Sequence, residues 1–102
     1  MIYVKIHQTE NGKIIAMCDE SLIDKVLEEG NILINIKGYA DFYKGSLIPA
    51  REFGEISTKN MITANIVGQE AVSTAIRNKV IDQTHVKRVN GVPYAQAYKV
   101  NY

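Results

Sequence analysis

His85, Lys87, Tyr94, Gln96 and Tyr98 flank the dipeptide Asn90-Gly91 and together offer an imidazole, an ammonium group, an amide and two phenols. Asn-Gly between apolar residues favours a two-residue type I′ turn, because both central positions take φ > 0. Pairing through that turn sets Val89 opposite Val92, Arg88 opposite Pro93, Lys87 opposite Tyr94, Val86 opposite Ala95 and His85 opposite Gln96. The polar set then shares one face. Val86, Ala95 and Ala97 share the other, where their small size lets a helix approach closely. Phenols beside a cation suit single-stranded nucleic acid, since stacking a base on an aromatic ring is worth about 1–3 kcal/mol and the ammonium group neutralises phosphate. A solvated strand face built with Tyr, which favours strands, has the same pattern, and no RNA-binding consensus accompanies it. Pro93 cannot donate to a β ladder, so its strand is expected at an edge or bulge, open to a partner.

Asn65 and Gly68 precede the strongest helical periodicity, carried by Ala71, Val72, Ala75, Ile76 and Val80. Asn is a good N-cap. Free N–H groups at a helix start attract phosphate or carboxylate, and a glycine there lets a ligand near the backbone. The segment lacks the Gly-Lys-Ser/Thr ending of a phosphate loop, and Glu70 would repel an anion. Its bland alternative is a capped helix with a close-packing glycine. Cys18 could act as a nucleophile or redox thiol if a helix N-terminus lowered its pKa. Asp19 and Glu20 push the other way, and single cysteines are commonly small buried residues. His7 and His85 have no metal-ligand spacing between them and are expected on the surface. No catalytic set, metal or cofactor is implied.

These residues need a scaffold. Ile2, Val4 and Ile6 alternate with Tyr3, Lys5 and His7 as a half-buried strand. Asn11-Gly12 turns the chain into Lys13 to Cys18, with Ile6 beside Met17 and Gln8 beside Ile15. Ser21 and Asp24 resemble a capping box before Leu22, Ile23, Val26 and Leu27 at helical spacing, and Gly30 stands at C′. Ile32, Ile34 and Ile36 predict a third strand, closed by Lys37-Gly38. Tyr39, Phe42 and Tyr43 lie in a loop between Gly38 and Gly45, serving either binding or packing at one end of the core. Pro49 opens a further helix around Phe53 and Ile56. His85 to Val89 and Val92 to Val100 close the chain as a hairpin. The expected fold is α+β: two layers, a largely antiparallel sheet and about three helices packed on one face. Without repeats or linkers, residues 1–102 are expected to form a single domain.

The 102 residues are 46% hydrophobic and 23% charged, the proportions of a globular domain rather than a disordered one. A formal net charge of +1 excludes a binder that works by overall basicity, so any RNA contact must be local. Cys18 is the sole cysteine, which excludes an internal disulfide and a multi-cysteine zinc site and fits a reducing compartment. No apolar run reaches membrane-spanning length, and Met1 leads directly into a strand pattern without a signal-peptide region. The expected location is cytoplasmic.

Tyr3-Val4-Lys5, Cys18-Asp19-Glu20, Phe42-Tyr43-Lys44-Gly45, Ala64-Asn65-Ile66-Val67-Gly68 and Gly91-Val92-Pro93-Tyr94-Ala95-Gln96 occur in an order that resembles the small archaeal family catalogued as domain of unknown function 424. The resemblance covers almost the whole chain and implies a compact α+β domain, without implying a reaction or a site. Lys44 stands where a second glycine is common, and Pro49 to Lys59 favour a helix less than is usual there. The leading expectation is a non-catalytic binding module for RNA or an RNA-protein particle. Two alternatives are a ligand-binding or enzymatic domain around Asn65, Gly68 and Cys18, and a subunit forming a homodimer or hetero-complex through an edge strand near Pro93.

Overall fold

The computed structural model describes residues 1–98; Lys99 and Val100, expected in the last strand, lie outside the described residues. The strands are β1 (Ile2–Thr9), β2 (Gly12–Asp19), β3 (Val26–Glu29), β4 (Ile32–Asn35), β5 (Ser46–Ile48), β6 (Met61–Val67), β7 (Val86–Val89) and β8 (Val92–Tyr98). The helices are α1 (Ala40–Tyr43) and α2 (Gln69–Arg77), with 3₁₀ turns at Glu20–Leu22, Ala50–Glu55 and Gln83–His85. Six strands form one sheet in the order β5-β1-β2-β6-β8-β7, and β3-β4 form a separate two-stranded sheet. The β2-β6 pair is parallel and the other pairs are antiparallel. The fold is α+β.

Alternation along the strands divides the side chains between two packed layers. On one face, Ile2, Val4, Ile15, Met17 and Ile66 meet Ala71, Val72 and Ala75 of α2 and Phe53 of the 3₁₀ turn. Ala95 and Ala97 lie under this layer, so small residues do bring α2 close to β8. Phe53 is fully buried, which is worth about 1.5–3 kcal/mol relative to exposure. On the other face, Cys18, Val67 and Val89 are covered by Leu27 and Ile36 from the β3-β4 segment, with Tyr43 of α1 packed against them. The middle of the sheet is therefore dry on both sides. At its β6-β8 end the second face opens to solvent.

The helices do not share one face as expected, since α2 packs on one side of the sheet and α1 on the other, and expectations about the strands change as well. The first hairpin turns at Glu10-Asn11, placing Ile6 opposite Ile15 and Val4 opposite Met17. Gly12 opens β2 with φ +139°, where any Cβ would collide with the Asn60 carbonyl, the acceptor for Lys13 N–H at 2.8 Å. That glycine serves a close backbone approach. The resulting two-residue shift leaves every side chain on its expected face, although Ile6 is 39% exposed.

The helix expected after Ser21 stops at the 3₁₀ turn Glu20–Leu22, and Val26 to Glu29 pair with Ile32 to Asn35. Gly30-Asn31 is the turn of this hairpin, with Gly30 at φ +59°. Leu27 turns inward at 8% exposure while Val26 is 50% exposed, a period of two in place of 3.6.

Pro93 is not at an edge. β8 runs between β6 and β7, and Pro93 is buried. Its carbonyl accepts Gly68 N–H at 2.9 Å, while the Gly68 carbonyl accepts Val72 N–H at 2.9 Å as the first bond of α2. In a β ladder, that carbonyl would pair with the N–H of the residue at 93. Proline has none, so β6 can leave the sheet and become a helix without abandoning a buried donor. The sheet edges are β5 and β7.

Candidate functional site

The last hairpin has the register derived from Asn90-Gly91, with Lys87 opposite Tyr94 and Val86 opposite Ala95. Asn90 and Gly91 take φ of 51° and 76°. On the other side of β8, Asn65 pairs with Gln96, Val67 with Tyr94 and Thr63 with Tyr98. Directly opposed residues project to the same face. Asn65, Tyr94, Gln96, Tyr98 and Lys87 therefore share the face that opens to solvent.

Asn65 is a strand residue in the middle of β6, three positions before the actual cap of α2 at Gly68. Strand geometry moves its amide from the helix terminus to the sheet face. Together with Tyr94 and Gln96 it lines a concavity of about 180 Å³, walled by Ile34 of β4 and Tyr43 of α1. Gln96 Nε2 donates to Tyr98 Oη at 3.0 Å. Among the described residues the Asn65 amide has no partner, and no side-chain polar atom of theirs is both buried and unpartnered. Its hydrogen-bonding groups are consequently reachable by solvent. Tyr98 is 69% exposed, Lys87 is exposed, and Tyr94 is half-buried.

Ile34 and Tyr43 also border a second concavity, completed by Leu33, Asn35, Tyr39 and Phe42. α1 is fixed beside the sheet by polar bonds from β1. His7 Nε2 donates to the Phe42 carbonyl at 2.9 Å and its ring stacks on Phe42 at 4.7 Å, while Lys5 Nζ donates to the Asp41 carbonyl. Expected on the surface, His7 is half-buried and fastens this helix. Phe42 and Tyr43 meet edge to face at 5.1 Å, leaving Tyr39 66% exposed. Tyr43 thus both packs and lines the groove. Burial raises its phenol pKa, with the proximity of Cys18 pushing the same way.

The α2 N-terminus already holds an anion from the chain itself. Asp19 Oδ1 accepts Ala71 N–H at 2.7 Å and Oδ2 accepts Glu70 N–H at 3.2 Å. Gly68, at φ +113°, makes room for that carboxylate, because a Cβ would overlap it. The close approach expected of Gly68 is made by Asp19, 49 residues earlier in sequence, rather than by a ligand. Burial raises the Asp19 carboxyl pKa despite the opposing pull of the two N–H bonds. Met1 contributes its amino group 3.3 Å from Glu70. Cys18 is fully buried, donates to the Asp19 carbonyl at 3.2 Å and has its pKa pushed up to about 12, first by burial and then by Asp19. A thiol so buried and protonated is neither accessible nor activated as a nucleophile.

His85 leaves the polar set. It ends the 3₁₀ turn Gln83–His85, where Nδ1 accepts Asp82 N–H at 3.1 Å and completes a capping box. Asp82 is engaged there through one oxygen: Oδ1 accepts the Thr84 hydroxyl and Thr84 N–H at 2.8 Å, which together lower its pKa. His85 lines a different concavity with Ile76, Lys79 and Ala97, which Tyr98 of the polar set also borders. A strand register extended one residue beyond Val86 would have faced it toward Gln96; the cap stops the strand first. Among the described residues no group of three or more His, Cys, Asp or Glu could hold a metal ion, and no helix is long and apolar enough to cross a membrane.

A mixed sheet covered on one face by α2, and on the other by a β hairpin and a one-turn helix that leave an amide- and tyrosine-lined groove, defines the class of protein. The chain belongs to the family described as Protein of unknown function (DUF424), whose family model matches residues 6–100. It is similar in fold to an uncharacterized conserved protein from Methanopyrus kandleri, with a TM-score of 0.76 and 23% sequence identity over 95% of this chain and 90% of that one. No curated protein matches the sequence.

Proposed function

We propose that this protein is a non-catalytic binding module that holds single-stranded RNA, alone or in an RNA-protein particle, across the open end of the sheet. Tyr94 and Tyr98 supply stacking surfaces, Asn65 and Gln96 hydrogen-bonding groups, and Lys87 a phosphate contact. The supporting observation is the direct pairing of Asn65 with Gln96 between Tyr94 and Tyr98 on a solvent-open face. Exposed bases are recognised by this mixture of aromatic planes and polar edges. The concavity of about 180 Å³ is smaller than the roughly 300–1,000 Å³ of sites that enclose a drug-sized molecule, so it suits one base of a longer strand. Tyr39, 66% exposed beyond the shared Ile34-Tyr43 wall, offers a plane for a neighbouring base. His85 and Gly68 have no part in this reading, because each already holds a structural partner.

Fluorescence anisotropy with a labelled single-stranded RNA at low salt tests it. Tyr98→Ala is expected to weaken binding about tenfold, within the 1–3 kcal/mol usual for one stacked base. Lys87→Ala should reduce the slope of log affinity against log salt by about 0.7, as loss of one phosphate contact on a single strand requires. Absence of binding at about 50 μM protein, a concentration that reveals even non-specific association, overturns the proposal.

A further inference from the structure

Among the described residues β4 pairs with β3 alone, which leaves it one open edge. In a hairpin closed by the two-residue Gly30-Asn31 turn, Glu29 with Ile32 and Leu27 with Ile34 exchange hydrogen bonds, so the backbone groups of Leu33 and Asn35 point away from β3. The Asn35 carbonyl accepts Tyr39 N–H at 3.2 Å. One pleat earlier on the same edge, Leu33 N–H and C=O have no partner among the described residues. Leu33 and Asn35 border the concavity of about 360 Å³ whose other walls are Ile34, Tyr39, Phe42 and Tyr43. Its far wall is held in place by the bonds from His7 and Lys5 to α1. β4 carries neither a charge nor a proline, the usual devices that block an edge, and Leu33 is 61% exposed.

From this arrangement we infer that the β4 edge receives an extended peptide from a protein partner, antiparallel to β4, with a basic residue opposite Leu33 and apolar residues on either side of it. The residue opposite Leu33 exchanges both backbone hydrogen bonds with it, and directly opposed side chains share a face. On that outward face lie Val26, Glu28, Leu33 and Asn35, and Glu28, paired with Leu33, is its one charge. An arginine there lays its stem on exposed Leu33 and brings its guanidinium to Glu28. The flanking residues project the other way, as Ile34 does, into the concavity against Phe42 and Tyr43 beneath the Tyr39 ring. Main-chain bonds hold such a strand and the pockets choose its side chains. This partner goes beyond the RNA-binding reading and shares only Tyr39 with it.

Fluorescence anisotropy with a labelled peptide, Gly-Ser-Phe-Arg-Phe-Ser-Gly, tests the inference. The peptide is expected to bind. N-methylation of the arginine backbone removes the N–H offered to the Leu33 carbonyl and should weaken binding about tenfold. Tyr39→Ala should weaken it about fivefold by removing one aromatic wall. Glu28→Lys should weaken it about threefold, and a peptide with glutamate in place of arginine should bind the native protein less well yet regain affinity for Glu28→Lys. No binding at about 1 mM peptide, or an N-methylated peptide that binds as tightly as its parent, overturns the inference while the RNA-binding reading stands. Light scattering of the protein alone is expected to show a monomer; a dimer abolished by Tyr39→Ala would put a second copy of the chain on this edge and overturn the inference as well.

Discussion

Gly68→Ala is expected to destabilise the protein by about 3 kcal/mol, through a cost of about 1–3 kcal/mol for overpacking added to a similar cost for backbone strain. Residue 68 has φ +113°, a conformation that side chains rarely adopt, and its Cβ would overlap the Asp19 carboxylate. The carboxylate cannot retreat without releasing the N–H groups of Glu70 and Ala71 at the start of α2. Urea denaturation gives the direct measurement. Asp19→Ala alone should cost about 1 kcal/mol, the usual loss when a helix N-terminus loses its cap. The double variant should be less destabilised than the sum by about 1 kcal/mol, because removing the carboxylate relieves the collision and leaves only the strain at residue 68. Strict additivity would mean that Gly68 is required for its backbone conformation alone.

Neither partner advertises this joint in the sequence. Gly68 reads as a ligand-approach or a close-packing glycine without naming what approaches, and Asp19 as a carboxylate that discourages thiol chemistry; only the parallel pairing of Cys18 with Val67 places them side by side. Legibility follows the locality of the cause. Asn90-Gly91 sets its own φ values, and with them the whole β7-β8 register, so the Lys87, Tyr94, Gln96 and Tyr98 face could be derived without knowing the rest of the chain. At Asn11-Gly12 the glycine answers to Asn60 instead, and a local reading misses the register by two residues. Leu22, Ile23, Val26 and Leu27 satisfy helical spacing, yet the Gly30-Asn31 turn allows a hairpin that buries Leu27 over the sheet. Asn65 reads as a helix cap for a related reason: the apolar stripe of α2 is clear, but its start depends on where β6 stops pairing. The pairing of Asn65 with Gln96 and the Tyr43-Ile34 wall join segments distant in sequence, and tertiary contact alone discloses them.

Between about pH 9 and pH 12 the protein should lose stability with a limiting slope of about 1.4 kcal/mol per pH unit from Cys18 alone. The thiol, fully buried among Leu27, Ile36, Val67 and Val89, has its pKa pushed from 9.0 up to about 12. The unfolded chain therefore releases this proton before the native state does. Its contribution is intact below the unfolded pKa of 9.0 and is lost as pH rises through the folded value of about 12. Tyr43 acts in the same direction above its ordinary value of 10.0, because burial raises its phenol as well. Cys18→Ala removes the thiol contribution. It should lower stability by about 1 kcal/mol at pH 7, for the small cavity it leaves, and flatten the alkaline decline relative to the native protein. Denaturant melts at pH 8, 9 and 10 compare the two slopes, and subtracting the variant's decline isolates Cys18 from lysines and tyrosines that titrate in both. Thiol-reactive dye at pH 8 should label the native protein only as fast as it opens, with labelling accelerated by urea. Prompt labelling without urea, or parallel alkaline declines in the two proteins, would place the thiol outside the dry layer between the sheet and the β3-β4 hairpin.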